Sequence, residues 1–247
     1  MRNLCRAVAL GVALAAAPAA TGGAARACAL ELVIAVDVSG SIDSQTYALQ
    51  MQGYASAFRD KDVQRAISAL GPGGIAVALL QWGSTAEQDR TIAWSRVTDR
   101  TSAEALAAVI EHAPRRFSHT GTAIGAALAF AAGQFEAGGL RCGRRVIDIS
   151  GDGRSNAGPE PSGVRDAVVL AGITINGLPI TDIDRALDAY YADSVVGGEG
   201  AFVMIAENYA DISVTIRKKL LRELSPRISA TPSDDRLAAH GAAMHPR

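Results

Sequence analysis

Apolar residues fall into two rhythms along this chain. Leu32-Val33-Ile34-Ala35-Val36 is an unbroken apolar run that ends in Asp37, with Ser39 and Ser41 following at alternate positions. A run of this length, rich in β-branched residues and closed by Gly40, predicts a strand buried on both faces over 29–36. Ile75 to Trp82, Arg145 to Ser150, Ile173 to Ile180 and Ala201 to Ile205 predict further strands. Thr91 to Val97 is less apolar, which suits an edge. Between these runs the period changes to that of a helix. Tyr47, Met51, Tyr54 and Phe58 share one face of a helix over Ser44 to Phe58, with Ser41 or Asp43 as its cap. Helices are also predicted over Asp62 to Leu70, Ser102 to His112, Pro161 to Leu170, Asp182 to Tyr191 and Tyr209 to Leu224. Thr120 to Phe135 opens with a turn and continues as an Ala-rich helix. Strands alternating with helices predict an α/β fold, a sheet covered on both faces.

The two ends break this pattern. Arg2 and Arg6 precede a small, apolar run from Ala7 to Ala20 that is interrupted by Pro18 and too short to span a bilayer. Ala25-Arg26-Ala27 then offers a small-x-small cleavage site before Cys28. This predicts a cleavable secretory signal over 1–27, hence a periplasmic or secreted protein. At the other end, 226–247 is polar and aperiodic and reads as a flexible tail, leaving a single domain over 28–225.

Composition narrows the function. The 247 residues are 49% hydrophobic but only 5% aromatic, so Ala, Val, Leu and Ile must build the core. Net charge is −1 and becomes −4 once the leader removes Arg2, Arg6 and Arg26. Without a basic block, nothing points to nucleic acid, and no span follows the signal. Lysine occurs only at 61, 218 and 219. Cys28 and Cys142 remain after cleavage. They lie at the same edge of the sheet if the first and fourth apolar runs are neighbouring parallel strands, which favours a disulfide over two separate thiols.

The candidate chemistry sits where strands end. Asp37-x-Ser39-x-Ser41 presents one carboxylate and two hydroxyls at the carboxyl rim of a buried strand, where open α/β sheets bind ligands. That donor set suits a hard cation such as Mg²⁺. Thr120-Gly121-Thr122 precedes a helix, and Asp152 ends another apolar run between Gly151 and Gly153. In this order the three segments resemble the metal-ion-dependent adhesion site of von Willebrand factor type A domains, of the exported bacterial sort grouped as domain-of-unknown-function family 1194. The resemblance covers residues 29–224. It implies a three-layer α/β/α, Rossmann-like and mostly parallel sheet of six strands, ordered 3-2-1-4-5-6, with strand 3 an antiparallel edge. It also implies metal ligation by Asp37, Ser39, Ser41, Thr120 and Asp152, with Thr122 as a capping or supporting residue. Mg²⁺ is the expected ion, with Mn²⁺ and Ca²⁺ as alternatives.

The function implied is a non-enzymatic, divalent-metal-dependent module for protein binding, whose partner donates an Asp or Glu carboxylate to the ion. Asp43, Ser118, His119 and Asn156 fall near the same rim as surface or supporting residues. Asp148, inside the fourth strand, reads as a buried carboxylate with a partner. Two alternatives stay open. One is a Mg²⁺-dependent phosphoryl hydrolase with Asp37 as nucleophile, although such enzymes usually carry a second acid where Ser39 stands, and a positioned lysine. The other is a scaffold with a vestigial site. Capping of helices by the Ser, Thr and Asp residues is the structural alternative at each turn.

Overall fold

A computed structural model of the chain describes residues 28–118, 121–138 and 140–225. The expected leader, the expected tail, His119 and Thr120 therefore lie outside the described residues. The chain runs β1 (Leu30–Asp37), α1 (Ser44–Arg59), α2 (Lys61–Ala69), β2 (Ile75–Trp82), β3 (Gln88–Val97) and α3 (Arg100–Glu111). It continues through α4 (Ile124–Gly138), β4 (Arg144–Gly151), α5 (Pro161–Leu170) and β5 (Thr174–Pro179). Next come α6 (Leu187–Tyr190), a π-helical turn over Tyr191–Val195, and α7 (Ile212–Leu224).

The sheet order is β3-β2-β1-β4-β5, with β3 antiparallel and every other pairing parallel. β1 lies at its centre, buried along its whole length. Alternate β1 residues serve opposite layers, as the pleat requires. Leu30, Leu32, Ile34 and Val36 pack with α1, α2, α3 and α7, while Val33 and Ala35 pack with α4, α5 and the π turn.

The expected sixth strand does not form. Gly177 N–H donates to Phe202 O and Met204 N–H to Gly177 O, so residues 202–204 begin a parallel ladder beside β5. The ladder resumes where Ala206 N–H donates to Pro179 O and Thr181 N–H to Ala206 O. The missing rung between them would need an N–H at residue 179, and that residue is proline. Only isolated bridges remain, Gly177 to Val203 and Ile180 to Ala206.

Helix limits also differ from expectation at turns. Residues 182–186 are turn rather than helix, so α6 starts only at Leu187. At the start of the last helix, Asn208 Oδ1 accepts the N–H groups of Ala210 and Asp211, a local turn that delays α7 to Ile212. The Ala-rich helix starts at Ile124, after its lead-in, and runs on to Gly138.

Two cross-connections tie the sheet. Cys28 and Cys142 are joined by a disulfide, their Cα atoms 4.5 Å apart at the amino-terminal edge of β1 and β4. Asp148 on β4 meets the fully buried Lys219 of α7, whose Nζ is 2.5 Å from Asp148 Oδ1 and 2.6 Å from Glu223 Oε1. Two carboxylates thus share one ammonium, and burial pushes the Asp148 carboxyl up to about 7, partly offset by Lys219 and reinforced by Glu223. Desolvating each ion costs several kcal/mol, on the order of what the pairing returns. The surface pairs, such as Arg59–Glu111, Arg154–Asp184 and Arg217–Asp60, use arginine.

Candidate metal centre

Asp37 is the last residue of β1, and its side chain is fully buried at the carboxyl rim. The loop that follows turns back immediately. Ser39 N–H donates to Asp37 Oδ1 at 2.8 Å, and Gln50 Nε2 from α1 donates to the Asp37 carbonyl at 3.2 Å. Asp43 caps α1 by accepting the Thr46 N–H at 2.7 Å. With that cap supplied, neither serine is needed for it, and Ser41 Oγ instead donates to Asp152 Oδ1 at 2.7 Å.

Thr122, buried beside the start of α4, completes the cluster. Its Oγ1 lies 3.5 Å from Ser39 Oγ, which is itself 3.5 Å from Ser41 Oγ. At that separation hydroxyls are neighbours rather than strong hydrogen-bond partners, so lone pairs remain for another ligand. Thr122 is held from the loop after β4. Its N–H donates to Asn156 Oδ1 at 2.8 Å, while its carbonyl accepts from Asn156 N–H and Ser155 Oγ. The structure therefore brings together Asp37, Ser39, Ser41 and Asp152 of the expected set. Thr122, expected to cap or support, brings its hydroxyl to this cluster; the expected ligand Thr120 lies outside the described residues. Ser118 is exposed, with no part in these contacts.

The floor of the site is aromatic. A Cβ on Gly151 would come within 2.7 Å of Tyr191 Oη, 2.8 Å of Asp37 Oδ2 and 3.3 Å of Trp82 Cζ2. Glycine is thus required here for close approach rather than for a left-handed turn. Gly121, by contrast, has φ +125 and permits the turn into Thr122. Asp37 Oδ2, Tyr191 Oη and Trp82 Nε1 are all buried without a hydrogen-bond partner.

Burial pushes the Asp37 carboxyl up to about 7; the nearby Asp152 charge adds to this, and hydrogen bonds from Ser39 and the Asp152 backbone oppose it. Tyr209, from the loop before α7, donates its phenol to Asp152 Oδ2 at 3.2 Å. Its ionisation is pushed far up, first by burial and then by the Asp152 and Asp37 charges.

This donor set fits a hard divalent cation. Two carboxylates can balance its charge, three hydroxyls add neutral oxygens, and a buried carboxylate oxygen lacks a donor. It is not a cage of acids. Among the described residues no group of three or more His, Cys, Asp or Glu side chains is arranged to hold a metal ion.

The model of a family described as "Protein of unknown function (DUF1194)" matches residues 27–228. No curated protein matches the chain by sequence. Solved structures do resemble it. Proximal thread matrix protein 1 from the mussel byssus, with a zinc-occupied MIDAS motif, superposes with a TM-score of 0.57 at 15% identity, covering 79% of this chain and 48% of its own. This chain thus spans about half the length of the byssus protein. The manganese-loaded TRAP protein of Plasmodium vivax gives 0.53 at 16% identity, covering 78% and 73%. The vWF domain of the type V pili tip protein Mfa5 from Porphyromonas gingivalis gives 0.54 at 11% identity, covering 79% and 95%. At these identities the likeness establishes the fold, that of a von Willebrand factor type A domain.

Proposed function

The chain belongs to the DUF1194 family, and from that premise we propose that it is a non-enzymatic, divalent-cation-dependent protein-binding module. The observation that carries this reading is the convergence of Asp37, Ser39, Ser41, Thr122 and Asp152 oxygens from three loops around a buried carboxylate oxygen with no donor. Asp37, Ser39, Ser41 and Asp152 hold the ion together with one threonine of the Thr120-x-Thr122 pair. Thr122 reaches Ser39, and Thr120 lies outside the described residues. Mg²⁺ is the ion we assign, with Mn²⁺ and Ca²⁺ as alternatives.

Bound there, the ion supplies an electron-poor centre that attracts an Asp or Glu carboxylate from a partner protein. The chain's own residues orient it. Asn156 fixes Thr122, Gln50 fixes the Asp37 backbone, and Gly151 leaves the aromatic floor room beneath the aspartates. Metal-loaded relatives with zinc and manganese support a divalent ion in general. The buried donors offer no general base or nucleophile activated by a lysine, because Lys219 is engaged with Asp148 and Glu223 instead.

We further assign residues 1–27 to a cleaved leader, 28–225 to the binding domain and 226–247 to a tail. Export to the periplasm or beyond agrees with the disulfide. No helix among the described residues is long and apolar enough to cross a membrane.

Millimolar Mg²⁺ is expected to raise the thermal unfolding midpoint, and Asp37→Ala to abolish the rise. Binding partners captured from an envelope extract are expected to be lost on chelation. An unshifted wild type, or phosphatase turnover lost in Asp37→Asn, overturns the reading.

A further inference from the structure

The buried Lys219 cluster shares no residue with the metal centre. Lys219 and Glu223 face the sheet from α7, Asp148 comes from β4 and Asn176 from β5, and none of the four is more than 3% exposed. Lys219 Nζ is 2.5 Å from Asp148 Oδ1 and 2.6 Å from Glu223 Oε1. Asn176 Nδ2 donates to the same Glu223 oxygen at 3.1 Å, and its Oδ1 accepts the Phe202 N–H at 3.1 Å. Arg144 Nη2 donates to the Glu223 carbonyl at 2.9 Å, and the Phe202 ring lies 5.3 Å from Nζ.

Three features distinguish this cluster from an ordinary ion pair. First, the buried cation is lysine in a chain whose surface pairs use arginine. A permanent buried pair favours the planar, always-charged guanidinium, whereas only a primary amine can give up a proton and attack. Second, Asp148 Oδ1 accepts no hydrogen bond of good angle although Nζ is 2.5 Å away, so the amine sits off the usual acceptor direction. The carboxyl carbon is one bond of about 1.2 Å from that oxygen, so Nζ lies no farther than about 3.7 Å from it, a bound any ion pair this short meets. Third, Glu223 touches Nζ with one oxygen and has its other oxygen buried without a partner, which leaves a place for a proton in transit.

We propose that Lys219 and Asp148 form an intramolecular amide cross-link between α7 and β4, with Glu223 relaying the proton. In the dry core the ammonium hands a proton to Asp148, giving a neutral amine and a neutral carboxylic acid. Burial drives the Asp148 carboxyl toward that neutral form, whereas Asp148 and Glu223 hold the Lys219 amine protonated, so this transfer is an uphill first step. The Nζ lone pair attacks Cγ and the C–N bond forms. Glu223 takes a proton from the nitrogen and delivers it to the departing hydroxyl as the C–O bond breaks. One water leaves, Glu223 returns to its starting state, and no oxidant or co-reactant is consumed. The amide N–H that remains faces Glu223. The link is independent of any cation, and it ties the last helix to the strand that ends in the metal-site loop.

The test is the intact mass of the purified full chain, measured unfolded and reduced, with fragmentation of a protease digest. The expected result is a mass lower by one water than that calculated from the observed amino terminus. The digest should contain a branched peptide joining Lys219 to Asp148, with no cleavage after Lys219. Lys219→Arg keeps the charge and should restore the full mass. Glu223→Gln keeps both reacting groups and should slow linking on the order of a hundredfold. Full mass in a folded wild type, with Lys219 and Asp148 recovered in separate linear peptides, overturns the proposal. Loss of ammonia with the branch at Asn176 overturns the assignment to Asp148, and undiminished linking in Glu223→Gln overturns the relay. The wild-type measurement decides the matter even if a variant does not fold.

Discussion

Ser41 Oγ donates to Asp152 Oδ1 at 2.7 Å, joining residues 111 positions apart. This bond holds the loops after β1 and β4 in register before any ligand arrives. Ser41 is exposed, but its removal takes the donor from Oδ1 of the buried Asp152. Ser41→Ala is expected to cost about 1–3 kcal/mol of stability. The larger effect falls on cation binding, because one donor oxygen is lost and Asp152 is less well oriented. Calorimetric titration with Mg²⁺ against the wild type checks this.

Gly151→Ala tests the floor of the site. The added methyl would meet Tyr191 Oη at 2.7 Å, Asp37 Oδ2 at 2.8 Å and Trp82 at 3.3 Å. These neighbours are buried and packed, so they cannot simply swing away. Destabilisation of about 1–3 kcal/mol by denaturant unfolding is expected, together with loss of the Mg²⁺-dependent thermal shift.

Much of this arrangement is legible in the sequence, and what is not has physical causes. The buried runs at β1, β2 and β4 announce themselves because each carries apolar residues on both faces. Pro179 defeated the sixth strand: a ladder lacking one donor breaks into bridges, and the pattern of apolar residues does not register a missing N–H. The grip of Asn156 on the Thr122 backbone is a contact across 34 residues, which no local pattern registers. Lys219 and Glu223 were hidden for the opposite reason. Charges four apart on a helix usually face water, and here they face Asp148 in the core.

Cation binding should depend on pH through Asp37. Its carboxyl in the fold is pushed up to about 7 from an ordinary value of 3.8. A raised carboxyl favours the protonated fold. Its contribution to stability is fully present below the unfolded value and is lost as pH rises through about 7. A cation reverses the preference by favouring the carboxylate. The Mg²⁺-induced thermal shift is therefore expected to be small near pH 5 and to grow as pH rises to about 8. Thermal unfolding with and without Mg²⁺ across that range checks it, and Asp37→Asn should flatten the profile.

The disulfide closes a long loop, with 114 residues separating Cys28 from Cys142. Cross-links across loops of this length restrict the unfolded chain most, so Cys142→Ser is expected to cost about 2–5 kcal/mol. The sulfurs sit at the amino-terminal edge of the sheet, opposite the rim that carries Asp37. Residual folded protein should therefore keep its cation response. Denaturant unfolding with and without reductant, followed by Mg²⁺ titration below the midpoint, separates the two effects.

Tyr209 competes for Asp152. Ser41 occupies Oδ1 and the Tyr209 phenol occupies Oδ2, so both oxygens of this carboxylate are engaged by protein donors. A cation drawing on Asp152 competes with both donors for the electron density of the carboxylate, although each oxygen keeps a second lone pair. Ser41 can be retained as a ligand in its own right, since its hydroxyl can rotate and accept. Tyr209 brings its oxygen from the loop before α7, and to reach the ion it would have to surrender its place there. The phenol is therefore the donor expected to yield. Tyr209→Phe removes one hydrogen bond to a charged group, worth about 1.5 kcal/mol or more, and should tighten Mg²⁺ binding by about tenfold. The metal-free protein should lose stability by a similar amount, so the two effects carry opposite signs. Weaker Mg²⁺ binding in Tyr209→Phe would instead make the phenol part of the support that orients Asp152 toward the ion.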